Sequence, residues 1–191
     1  MKELSEMTLE ELWELFPIYL TESNPDWKGW YIEEESRLKG LLDNIGTYRI
    51  HHIGSTAIQG IWAKPTIDIL LEVAKTEVLQ DIKEMLIHNG YTCMSEKVDR
   101  ISFNKGYTPQ GFADRVFHLH LRYVGDNDEL YFRDYLNNHP DIAKEYEKIK
   151  LSLWQQFEHN RDAYTDSKSA FVTQYTKQAK AEYGDRYSYF T

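Results

Sequence analysis

The segment Thr66–Val73 alternates with a period of two, so Ile67, Ile69, Leu71 and Val73 share one face and Asp68, Leu70 and Glu72 the other. The same alternation predicts a strand over residues 116–124, in which His118, His120 and Arg122 share a face. Shorter β-prone runs fall at 49–53, 91–98 and 101–105, with Thr108-Pro-Gln-Gly111 as a turn. Elsewhere the spacing is helical. Thr8-Leu-Glu-Glu11 is a capping box ahead of Leu12, Trp13 and Phe16, and Trp27, Trp30, Tyr31, Leu38 and Leu42 predict a longer helix over 26–43. Thr76 is placed to cap a helix carrying Leu79, Ile82 and Leu86, which Asn89-Gly90 ends. Gly125-Asp-Asn-Asp128 leads into a helix through Leu136, and Pro140 opens another that carries Tyr146, Ile149 and Leu153. Thr165 or Asp166 is expected to cap a last helix that Gly184 stops. The pattern predicts one α+β domain over 1–191, with an N-terminal helical region (1–46), a mixed-sheet core (47–124) and C-terminal helices (125–191).

Charge narrows the partners. The 22 lysines and arginines against 31 acids give a formal net charge of -9, which argues against nonspecific binding to a nucleic-acid backbone but leaves room for a small, locally neutralised phosphate ligand. The single cysteine, Cys93, rules out an internal disulfide framework and suits a reducing cytosol. The start of the chain has no apolar signal core, and no apolar run approaches the ~20 residues of a membrane span, so a cytoplasmic location without membrane attachment is expected.

The candidate chemistry lies between the first two strands. Gly54-Ser55 breaks a short strand a few residues before the one that carries Asp68, an order that suits a phosphate-binding turn facing a metal-binding carboxylate. It is not a Walker loop, because Gly60 is followed by Ile61 and Trp62. An acid in so apolar a run needs a cation or hydrogen bonds. For Asp68 the alternatives are a metal ion, backbone donors, or pairing with Lys64, which precedes Pro65 in extended backbone and could equally reach a phosphate.

Five motifs, His52-Ile-Gly-Ser-Thr56, Ala63-Lys-Pro-Thr-Ile-Asp-Ile-Leu70, Phe117-His-Leu-His-Leu121, Phe132-Arg-Asp-Tyr-Leu136 with His139-Pro140, and Tyr164-Thr-Asp-Ser-Lys168, resemble the GrpB family of bacterial proteins in their order. That family is placed in the nucleotidyltransferase superfamily typified by DNA polymerase beta. The resemblance implies a nucleotidyltransferase-like mixed sheet, with Gly54, Ser55 and Thr56 binding the phosphates of a nucleotide or phosphorylated small molecule. It also implies that Asp68 and Lys64 serve catalysis and that Arg133 and Lys168 are outer phosphate contacts. His118 and His120 stand where the superfamily supplies a later acid, so the implied metal set is Asp68, His118 and His120. The implied cofactor is a divalent ion, magnesium or manganese, with zinc admitted by the imidazoles. The sequence departs from the superfamily at Leu70, where a second acid is expected. The alternative function is therefore a phosphate-ligand-binding module without catalysis.

Overall fold

The apolar face of Thr66–Val73 (β2) seeds the core of the computed structural model, which describes residues 2–188. Ile67, Ile69, Leu71 and Val73 are wholly buried there. β1 (Tyr48–Ile53) pairs antiparallel with one edge of β2, and β5 (Gly111–Tyr123) runs parallel along the other. β4 (Arg100–Thr108) and β3 (Thr92–Glu96) extend the sheet antiparallel, in the order β1-β2-β5-β4-β3. A parallel neighbour requires a crossover. Here it is supplied by α3 (Leu79–His88) and the β3–β4 hairpin.

Two layers of helix cover the sheet. On the apolar face, α2 (Asp26–Leu41) and α3 bring Trp27, Leu38, Leu42, Leu79, Ile82 and Leu86 against Ile101, Phe103, Phe117, Leu119 and Leu121. α1 (Leu9–Leu15) precedes them behind the expected capping box. The buried Glu34 on α2 accepts from Lys105 at 2.6 Å and Tyr91 at 2.8 Å, tying that layer to β4. On the polar face, α4 (Asp128–Asn138), α5 (Pro140–Phe157) and α6 (Arg161–Tyr183) pack around Phe132, Tyr135, Tyr146 and Tyr175.

Two helix starts differ from the sequence reading. α3 begins after Val78, not at Thr76. α6 begins after Asn160, whose side chain accepts from the Ala163 N–H at 3.0 Å, so Thr165 and Asp166 lie inside the helix. β5 also starts earlier than expected, at Gly111, because β4 and β5 continue as a hairpin past an irregularity between Lys105 and Tyr107. Among the described residues no helix is long and apolar enough to cross a membrane.

Candidate phosphate and metal site

The polar face of the sheet is organised in rows across the strands. Ile53, Asp68, His118 and Asn104 are register partners in one row; His51, Leu70, His120 and Ser102 form the next; Arg49, Glu72, Arg122 and Arg100 form the third. The third row is closed on itself. Glu72 is fully buried and meets Arg49 at 2.9 Å, Asn127 at 2.9 Å and the Gly125 N–H at 3.2 Å, so neither carboxylate oxygen is left for a ligand. Leu70, also fully buried, packs with Ile53 and Leu130. The first row sets its carboxylate against the turn that follows β1.

That turn is Gly54-Ser55. Gly54 has φ 71° and ψ -173°, backbone essentially restricted to glycine, and it leads into a short 3₁₀ turn, Ser55–Ala57. A Cβ at Gly54 would overlap Oδ2 of Asp68 and stand 2.8 Å from its Cγ and 2.9 Å from its Cβ. The bare Cα is thus what lets the turn rest against the carboxylate. Thr56 secures it from behind: its hydroxyl donates to the Thr66 carbonyl at 3.0 Å, so the contact of 3.0 Å from His52 Nε2 must be a donated N–H. His52, stacked on Tyr31 at 4.8 Å, therefore acts through Thr56 and not on Asp68 directly. The following loop is clamped by the C-terminal helices. Glu147 accepts from the Trp62 N–H at 2.6 Å, Lys144 donates to the Gly60 carbonyl at 2.7 Å, Asn137 bonds Ala57 and Gln59, and Lys150 donates to the Trp62 carbonyl.

A chain of donors ends on Asp68. Arg161 Nη1 approaches the Tyr107 hydroxyl at 3.5 Å, Tyr107 meets His118 Nε2 at 2.9 Å, and His118 Nδ1 meets Asp68 Oδ1 at 3.2 Å. Burial opposes charge on Asp68, but the hydrogen bond from His118 and the fields of His118, His120 and Lys64 outweigh it and hold the carboxyl below its usual range. Burial likewise keeps His118 and His120 below the usual imidazole range despite Asp68. An ionised Asp68 only accepts, so the neutral His118 carries its proton on Nδ1 and takes the Tyr107 O–H on Nε2. His120 Nε2 is 4.0 Å from the same Oδ1, and its Nδ1 is 3.4 Å from Ser102 Oγ.

For a metal, the donor set is sparse. Among the described residues no three His, Cys, Asp or Glu side chains form a cluster that could hold an ion. Both ring nitrogens of His118 have partners, and both imidazole contacts fall on Oδ1, while Oδ2 faces Gly54. What fits is a cation taking one carboxylate oxygen and completing its shell with ligand phosphates and water, a habit of magnesium.

The remaining residues divide between the site and its supports. Lys64 lies over the Phe112 ring at 4.9 Å, and Lys168 over the Tyr164 ring at 4.1 Å. Both feel the Asp68 charge. Arg133 is instead engaged by Asp134 at 2.7 Å and the His52 carbonyl at 2.8 Å, bracing α4 against β1. Sequence reasoning passed over Tyr107, Tyr146, Lys150 and Arg161. Tyr146, whose hydroxyl interacts with the Ser55 side chain, is pushed up to about 12 mainly by burial.

The family model described as "GrpB protein" matches residues 17–178. UPF0157 protein YqkA of Bacillus subtilis (strain 168) is 36% identical over 160 residues, which are 82% of this chain and 46% of the relative, so the chain spans just under half of that protein. The solved structure of conserved protein GrpB from Enterococcus faecalis has a TM-score of 0.75 at 30% identity, over 86% of this chain and 99% of that one. A chain of the GLD-2/RNP-8 complex, 10% identical, covers 89% of this chain and 69% of its own at a TM-score of 0.54, a likeness of fold alone. The architecture is α+β and nucleotidyltransferase-like.

Proposed function

This chain belongs to the GrpB family, and from that premise we propose that it holds the phosphates of a nucleotide over Gly54-Ser55, beside a divalent cation on Asp68, and transfers a nucleotidyl group. The observation that carries the reading is the contact of the Gly54 backbone with the Asp68 carboxylate, which leaves no room for a Cβ. It sets the turn that we read as anion-binding against the carboxylate that we read as the cation's ligand. In the reaction, an acceptor oxygen bonds to the α-phosphorus as the bond to the bridging oxygen breaks, and pyrophosphate leaves with the electron pair. The acceptor's proton passes to a base, for which neutral His120 beside Asp68 is the available imidazole. A bound divalent ion would withdraw charge from the phosphates during this exchange. The chain of Arg161, Tyr107 and His118 keeps Asp68 ionised and fixed in orientation.

One observation favours a second reading, phosphate binding without transfer. Leu70 occupies the second-acid position and is buried among apolar side chains. The two readings separate in one experiment. Nucleoside triphosphates are screened by thermal shift with magnesium and with manganese, and hits are then assayed for labelled nucleotidyl transfer, in wild type and Asp68→Asn. A ligand at ~100 times its Kd stabilises by about 2.7 kcal/mol, roughly 5–10 °C for a chain of this size. Under the transferase reading, wild type shows cation-dependent binding and transfer, and Asp68→Asn loses transfer by about a thousandfold. Binding without transfer selects the module. No shift with any triphosphate and either metal rejects the transferase and a nucleotide as the module's ligand.

A further inference from the structure

The polar site carries a charge imbalance that a carboxylate-held cation does not explain. Lys64 stands between the Phe112 ring at 4.9 Å and the Tyr107 ring at 6.0 Å, and Arg161 is directed at the same tyrosine's hydroxyl. Arg161, Tyr164 and Lys168 follow one another at i, i+3 and i+7 on α6, so they share a helix face. Lys150, 1% exposed, lies over Tyr146 at 4.9 Å. Among the described residues, none of these four cations comes within salt-bridge distance of an acid. Lys105, Lys144, Arg49 and Arg122, by contrast, are all paired. In a chain with nine more acids than bases this is a local reversal of the overall sign.

Aromatic faces stabilise such cations without neutralising them. Desolvation, with the repulsion of the neighbouring cations, lowers Lys64 to about 7, Lys150 to about 7 and Lys168 to about 8. Asp68 is the carboxylate whose field reaches both Lys64 and Lys168, one negative charge against Lys64, Arg161 and Lys168. Unpaired cations held together at partly buried positions destabilise the free protein, and a polyanion entering among them removes that cost. The turn that fits a phosphate and the cations converge on the same acid.

We propose that Lys64, Arg161 and Lys168 form an oligophosphate subsite that binds its anion without a metal, standing in for the second cation that Leu70 cannot hold. The inference rests on the phosphate-binding reading of Gly54 and Asp68, and adds that side-chain cations, not a second ion, carry the remainder of a triphosphate. Lys150 supports the subsite from behind by holding the Trp62 carbonyl.

The test is calorimetric titration of the whole chain with inorganic tripolyphosphate in EDTA, with orthophosphate and a magnesium-containing buffer as parallel arms. Wild type is expected to bind tripolyphosphate in EDTA at least tenfold more tightly than orthophosphate. Lys64→Gln and Lys168→Gln should each weaken it at least tenfold, while Lys177→Gln, an exposed position on the same helix, leaves it unchanged. Lys168→Gln should also melt above wild type when no ligand is present, an increase that a lysine with a purely structural role would not give. Asp68→Asn should bind tripolyphosphate in EDTA as tightly as wild type or more tightly, because it removes an opposing charge. Tripolyphosphate binding that appears only with magnesium, or equal weakening in Lys177→Gln, overturns the subsite. If tripolyphosphate binds in EDTA but no nucleotide binds or is transferred with metal, the subsite stands and the transferase reading falls. If nucleotide binds with metal but tripolyphosphate does not bind in EDTA, the subsite falls and the phosphate-binding turn stands without it.

Discussion

Gly54→Ala is the substitution that most directly weighs the contact between turn and acid. Two costs add. Its backbone, with φ 71° and ψ -173°, lies where a side chain costs about 1–3 kcal/mol. The new methyl would also overlap Oδ2 and crowd Cγ at 2.8 Å and Cβ at 2.9 Å, an overpacking worth about 1–3 kcal/mol. If Asp68 swings aside to make room, it gives up its hydrogen bond from His118, about 1.5–3 kcal/mol for a charged acceptor. With either the crowding or the swing as the second cost, the sum is about 2–6 kcal/mol, at its upper end comparable with the roughly 5–15 kcal/mol typical of a folded domain. Gly60 provides the matched control: it has the same φ of 71° but nothing within 4 Å of the place a methyl would occupy, so Gly60→Ala should cost only about 1–2 kcal/mol. Urea unfolding followed by circular dichroism at about 25 °C measures both, with equal m-values required for the comparison. The gap between them should be about 3 kcal/mol, and it should shrink by at least about 1 kcal/mol in an Asp68→Ala background, which removes Oδ2 and Cγ. Equal costs at the two glycines, or a gap untouched by Asp68→Ala, would show that Gly54 does not rest on the acid.

Two further outcomes concern the strands that flank the turn. Burial lowers His51 and His52 to about 4 from an ordinary 6.5, so the unfolded chain binds more protons between those values and stability falls as pH drops from 6.5 to 4. Each tenfold in proton affinity is worth about 1.4 kcal/mol, giving up to ~3 kcal/mol per ring. Urea midpoints across that window should flatten in the double variant His51→Gln with His52→Gln, leaving a residual slope from His118 and His120; an unchanged slope would mean both rings protonate freely in the fold. Leu70→Asp, by placing a carboxylate between Ile53 and Leu130, should lose roughly 3–5 kcal/mol, part of which manganese at about 1 mM restores by mass action in this variant alone. No recovery with metal would show that an acid at position 70 does not share a cation with Asp68.

The alternation of Thr66–Val73 made the acid-bearing strand legible, and the pattern around His118 identified its neighbour, because a period of two survives burial on both faces. Gly54-Ser55 and Asp68 were legible as a pair because the turn breaks one β-prone run shortly before the acid-bearing strand, and because both lie in motifs that resemble the GrpB family. The misplaced start of α6 hid Arg161: it directly follows Asn160, in a polar stretch with no apolar periodicity, whereas Thr165-Asp166 looks like a cap. Tyr107 was hidden differently. In an unbroken strand it would fall on the face of Lys105 and Phe103, but Gly106, with φ 90°, breaks the register and turns its hydroxyl to His118. Lys150 borders the apolar stripe of its helix, four residues after Tyr146 and three before Leu153, and only the carbonyl of Trp62 reveals what its buried charge serves. Period reports faces; it does not report bulges or which buried carbonyl awaits a donor.

The parallel pairing of β2 with β5 bears on the time course of folding. Asp68 and His118 are neighbours across that pair but lie 50 residues apart in sequence. The β3–β4 and β4–β5 hairpins close over short turns and can form early, whereas the β2–β5 ladder must first close a long loop. The half-site on β5 is then built before the turn and its acid arrive. An anion that requires both strands meets no binding surface while the chain is still climbing its barrier, so it should slow the unfolding limb of a chevron and leave the refolding limb where it was.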